Sequence, residues 1–482
     1  MLIASGFAQN AETVSADAFK QALEKDGFTV QQGELGVFDL IKVYELGLIP
    51  AVYGNNPSTR YIAYFVPPAP GYEVDKLGSA IAQVVGKSGN STALIRWLRT
   101  DEALVFVGRT PPECRYFSFD ANLLFSEIRN ETVWVWTSLG DPVNNLVIKT
   151  TGTPDGKTGD PFNQTTMLIT TADRGIDQRI RTAAEAAGYS ESIVNTQVLP
   201  STMLNMGSAN KSDTFAMYIR PAMFKNIQAG NDYLNNTPAK VFRITPNTTT
   251  KLNLFQAPEL KARGTGTNEF DLTEDLEELR QAILTKYSGL NATELPTSIW
   301  LLEGYDGLQR LINTWGPNND ACYLWTASRP VDEITPPFCD LRMYYNFTRE
   351  PGIVLGNDPD EFIIVYGVNH VATGKGSYQN FGLFGADIMN GVGAVTDANF
   401  NGTAQEYLPN NPNAKYLYVY KIARNSTDTH CFNVPFGIGA YGIDLNQKLL
   451  IIWRLYLEKA SKVGPSYNEI IYDKAIKFDP KK

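Results

Sequence analysis

The stretch Phe362-Ile-Ile-Val-Tyr-Gly-Val-Asn-His-Val-Ala-Thr-Gly-Lys-Gly-Ser-Tyr378 constrains this chain more than any other. Its first half is an apolar run of strand-forming residues, which belongs in the interior of a sheet. Its second half is a loop punctuated by Gly374 and Gly376 that carries His370, Lys375 and Tyr378. A rigid strand that delivers polar side chains into a permissive loop is a common way to build a site. His370 is one of only two histidines in the chain. Acting as general base, charge stabiliser and proton donor, His370, Lys375 and Tyr378 would suit proton abstraction beside a carbonyl or elimination from an acidic sugar. Arg115 and Tyr116, in the strand-like Cys114–Phe119 segment, complete the catalytic candidates. The competing reading of the loop is a surface turn whose histidine bonds to backbone.

A chain of 482 residues exceeds one ordinary core, so roughly two to four units are expected. The reading is α+β: strand-rich N- and C-terminal regions joined into one body, with an inserted ferredoxin-like unit and a helical connector. Residues 1–150 read as a mixed, strand-rich region with helices near 15–27 and 75–85. Residues 160–248 show the order β-α-β-β-α-β of a ferredoxin-like unit. Its first helix is marked by Ile176, Ile180, Ala183, Ala184 and Ala187 at helical spacing, and its second is placed at 221–234, opened by Pro221. Residues 249–320 read as a connector with helices, and 321–482 as a β-rich region packing with 1–150. Periodicity leaves Leu449–Leu457 open between strand and helix.

Compartment rests on sequons and cysteines. Asn-X-Ser/Thr occurs at Asn90, Asn130, Asn163, Asn210, Asn235, Asn247, Asn291, Asn346, Asn401 and Asn425. That is about twice the chance frequency for this composition, as in an extracellular glycoprotein, whether secreted or held at the cell surface. Four cysteines fit two disulfides, Cys322 with Cys339 and Cys114 with Cys431, with free buried thiols as the other reading. The opening residues 1–9 are too short for a full signal peptide.

A net charge of −9 and the absence of a basic run argue against a nucleic-acid partner, and no apolar window is long enough for a membrane helix. No phosphate loop, dinucleotide fingerprint, nucleophile elbow or zinc motif is present, so no cofactor or metal is expected. His430 beside Cys431 reads as an incidental neighbour rather than a nucleophile pair. Asn357-Asp-Pro-Asp-Glu361 reads as a proline-containing turn rather than a calcium loop. Two function classes remain. One is an acid–base lyase or hydrolase acting on a carbohydrate or other small polar ligand through the His370 loop. The other is a non-catalytic surface, structural or self-associating glycoprotein.

Overall fold

The structure, a computed structural model, describes residues 16–49, 51–52, 54–89, 91–94, 97–128, 131–208, 211–249, 251–299, 308–309, 316–326 and 352–481. These fall into two units, one drawn from 1–43, 59–260 and 303–318, the other from 44–58, 261–302 and 319–482. Both are built of mixed or antiparallel sheets with few helices, an α+β, strand-rich protein.

In the first unit a five-stranded sheet runs in the order Phe28–Gln32, Ala239–Pro246, Ala103–Arg109, Thr165–Thr171, Val194–Val198. One face is covered by helix 16–25, through Phe19 and Leu23, and by helix Arg174–Ala186, through Ile176, Ile180 and Ala184. Asp173 caps the second helix by accepting from the Ile176 amide, and Gly188, at φ +90°, lies just beyond its end. Phe106 projects from the other face and meets Tyr64 and Phe119 of a second sheet, whose main strands are Glu34–Val37, Ile62–Val66, Thr214–Ile219, Ser118–Ile128 and Glu131–Ser138. Alternate side chains of Ala103–Arg109 therefore face opposite layers, as strand geometry requires.

This pairing corrects the ferredoxin-like expectation for 160–248. Thr165–Thr171 and Val194–Val198 are direct parallel neighbours, so their helical crossover leaves no gap for an inserted strand. The other edge of Thr165–Thr171 is taken by Ala103–Arg109, from earlier in the chain. Thr214–Ile219 joins the second sheet instead, against Ser118–Ile128. The helix expected from Pro221 begins at Ile227 behind an Asn226 cap, because Ala222–Phe224 pairs as a short strand with Cys114–Tyr116.

The second unit contains the strand Phe362–Val368, buried along its whole length. Ile363 and Val365 face a core shared with Leu324, Phe381, Leu383 and Trp453 of a sheet containing Ala321–Thr326, Lys448–Tyr456, Tyr378–Gly385 and Asn390–Thr396. Phe362, Ile364 and Tyr366 face the helix Thr273–Lys286 through Leu276, Leu279 and Ile283. Its own sheet has the order Asn291–Leu295, Lys474–Asp479, Phe362–Val368, Leu417–Ala423, Cys431–Asn433. Lys448–Tyr456 resolves the ambiguity at 449–457 in favour of a strand.

Cys114 and Cys431 are free thiols, so the expected bond between them is not formed. Each has a local setting instead: Cys114 Sγ donates to the Tyr116 carbonyl, and Cys431 Sγ lies 3.9 Å from Asn433 Oδ1. Burial pushes the Cys114 thiol up to about 12, which keeps it protonated and unreactive. Cys339, the expected partner of Cys322, lies outside the described residues.

Candidate functional site

His370 leaves the end of Phe362–Val368 and turns inward. Its side chain is 1% exposed and lies between two carboxylates, with Nδ1 2.7 Å from Glu269 Oε2 and Nε2 3.6 Å from Asp473 Oδ2. The second distance makes an ionic contact rather than a hydrogen bond. Both acids are anchored further. Glu269 accepts from the Thr373 hydroxyl at 2.6 Å and the Ile471 amide at 3.2 Å, and Asp473 accepts from Tyr418 Oη at 2.7 Å. Trp453 Nε1 donates in turn to Tyr418 Oη at 3.0 Å. Gly367 makes the approach of Asp473 possible, since a Cβ there would stand 2.6 Å from Asp473 Oδ1.

Burial opposes charge on the imidazole, but Glu269 and Asp473 together outweigh it and push the His370 pKa up to about 10. The same pairing holds Glu269 below the usual carboxylate range, although burial alone would raise it. The ring is thus an imidazolium at neutral pH. A general base must be neutral near its working pH and within reach of the substrate, and this ring meets neither condition.

Lys375 repeats the arrangement. Its Nζ lies 2.7 Å from both Glu458 Oε1 and Glu469 Oε2 and donates to the Thr267 carbonyl at 2.8 Å. Burial works to lower its pKa, and the two carboxylates reverse this and raise it. Gly374, at φ +85°, turns the loop, and a Cβ on Gly376 would collide with Leu455 Cδ1 at 2.2 Å.

Tyr378 is fully buried, stacked on Tyr456 with ring centroids 5.2 Å apart and hydrogen-bonded to Ser58 and Asn380. Burial raises its pKa above the ordinary phenol value, so the hydroxyl stays protonated at neutral pH, and it is held against Ser58 and Asn380 away from solvent. Arg115 and Tyr116 belong to the first unit, on the short strand Cys114–Tyr116, with Arg115 exposed and Tyr116 buried with its hydroxyl donating to Ser118 Oγ at 2.7 Å. The Asn357–Glu361 segment forms a turn in which Asp358 accepts from the Asp360 amide.

A different part of the second unit is open. A cleft of about 650 Å³ is lined by the end of helix Thr273–Lys286, the turn at Glu406 and Tyr407, and the loop 427–430. Lys421 Nζ pairs with Asp428 Oδ2 at 2.8 Å, and His430 Nε2 lies 3.4 Å from Glu406 Oε1. Lys286 Nζ sits over the Tyr407 ring at 4.2 Å. The Tyr287 and Tyr407 hydroxyls are 3.3 Å apart.

No family model matches the chain. No curated protein matches it either. Among solved structures, an uncharacterized protein from Burkholderia cenocepacia aligns over 98% of this chain and 88% of its own, at 12% identity and a TM-score of 0.37. A Vibrio parahaemolyticus protein aligns over 97% of this chain and 99% of its own, at 10% identity and a TM-score of 0.37. Likeness at that level carries no argument about fold or activity.

Sequence reasoning found the loop but missed its carboxylates. Glu269, Glu458, Glu469 and Asp473 stand 83 to 103 positions from the cations they hold, and nothing local marks them. The cleft was equally hidden, since Pro359, Asp360 and Phe362 lie in one stretch of the sequence and His430 in another, and nothing local joins them to the end of helix Thr273–Lys286.

Proposed function

We propose that this chain is a non-catalytic glycoprotein of the extracellular or cell-surface compartment, and that the 370–378 loop is an internal latch rather than an active site. The observation that carries the reading is that both cations of the loop are closed between paired carboxylates inside the second unit. Each pair ties the loop to segments far along the chain, around 265–269 and 458–473, which have little regular structure of their own. Acid–base catalysis on a carbohydrate is the weaker reading, because its candidate base, His370, is held as an imidazolium, and both His370 and the candidate acid Tyr378 are out of solvent.

The glycoprotein part is supported by exposure. Of the ten sequons, Asn163, Asn235, Asn247, Asn291, Asn401 and Asn425 are described and every one is exposed; Asn90, Asn130, Asn210 and Asn346 lie outside the described residues. Asn291 opens an edge strand, Asn291–Leu295, where a glycan would block strand addition by another chain. That favours a surface role over assembly through this edge. Expression in a secreting eukaryotic host is expected to place the protein in the medium, with peptide-N-glycosidase lowering its mass and leaving aspartate at most of the six exposed sites. Recovery of secreted protein with all six asparagines unmodified would overturn the glycoprotein reading.

A further inference from the structure

We propose that the cleft beside helix Thr273–Lys286 binds a short, neutral oligosaccharide. The proposal goes beyond the latch reading and does not depend on it. A volume of about 650 Å³ lies within the range of about 300–1,000 Å³ typical of small-molecule sites. The chemistry of the lining then selects the ligand.

An anionic ligand would need a cation to receive it, but Lys421 is committed to Asp428, Lys286 to the aromatic faces of Tyr407 and Tyr287, and His430 to Glu406. A cationic ligand would be drawn to the tyrosine faces, where Lys286 already stands and would repel it. What remains is a lining of the carboxylates Glu406 and Asp428, each held by its own partner, the exposed carboxylate of Asp360, threonine and tyrosine hydroxyls, and half-exposed aromatic rings. The Lys421 bond holds Asp428 ionised, below the usual carboxylate range, and so a constant acceptor. Fixed acceptors beside half-exposed rings suit a ligand with many hydroxyls, apolar C–H faces and no charge.

The test uses the full-length protein, studied by saturation-transfer NMR. The probes are maltotriose, cellotriose and chitotriose, with glucuronate as an anionic control and spermidine as a cationic one. At least one trisaccharide is expected to receive saturation. Asp428→Asn and Glu406→Gln, both at half-exposed side chains that leave the core intact, are expected to weaken that binding at least tenfold while thermal melts stay at the wild-type position. Transfer to spermidine or glucuronate alone, transfer to no probe, or trisaccharide transfer that survives both substitutions would each overturn the proposal.

Discussion

His370→Ala is expected to destabilise the second unit by about 3–5 kcal/mol, the usual cost of removing one partner from a buried ion pair. Glu269 and Asp473, each 2% exposed, would be left as two buried carboxylates with no cation between them. Adding Glu269→Gln to His370→Ala removes one of those charges and should recover part of the loss. Urea denaturation of the two variants and the wild type measures both effects. A loss within about 0.5 kcal/mol, as surface substitutions give, would mean that the ring carries no structural load. The wild type should also show a defined pH profile. The folded pKa of His370, about 10, lies above its ordinary 6.5, so its stabilisation is complete below pH 6.5 and fades as pH rises from 6.5 through 10. Glu269 is depressed below 4.5, so its contribution is present above pH 4.5 and is lost as pH falls through its lowered value. The urea midpoint should therefore be highest between those limits, and its alkaline fall should be shallower in His370→Ala.

Arg243→Met is the equivalent experiment in the first unit, with an expected loss of similar size, about 3–5 kcal/mol. Arg243 and Glu102 are 3% and 0% exposed and meet through two hydrogen bonds, Nε to Oε1 at 3.2 Å and Nη2 to Oε2 at 2.8 Å. The guanidinium also donates to the carbonyls of Trp97 and Pro67, fastening the sheet strand Ala239–Pro246 to irregular chain. Glu102 accepts further from Thr245 and from the Arg99 amide. A buried pair replaced as a pair can be nearly neutral, so Arg243→Met with Glu102→Gln should be more stable than Arg243→Met alone. If the double variant is the less stable of the two, an unpaired Glu102 charge is not the source of the loss.

Local signals in the sequence were read correctly where one element decides its own form. Ile176, Ile180, Ala183 and Ala184 at helical spacing gave the helix Arg174–Ala186, and the helix expected near 15–27 runs over 16–25. The apolar run at Phe362–Val368 was likewise a buried strand. Partner choice was not legible, because it depends on competition between distant strands. Thr214–Ile219 has the composition to extend the sheet of Thr165–Thr171, but Ala103–Arg109 occupies that edge. Proline at 221 looked like a helix start, yet the chain first makes a strand to Cys114–Tyr116 and waits for the Asn226 cap. The loop at 370–378 was conspicuous for its glycines and its histidine. Its role was not, since Gly374 serves the turn and Gly376 close packing against Leu455, and the acids that fix the cations come from other parts of the chain.

The chain's two histidines make a direct measurement possible. In a His430→Gln variant, the imidazole ¹⁵N signals belong to His370 alone and can be followed from pH 5 to pH 11. An internal latch predicts a ring that stays doubly protonated through neutral pH and titrates near about 10. A ring that is neutral at pH 7, titrating between about 6 and 7 as an open catalytic base would, contradicts it.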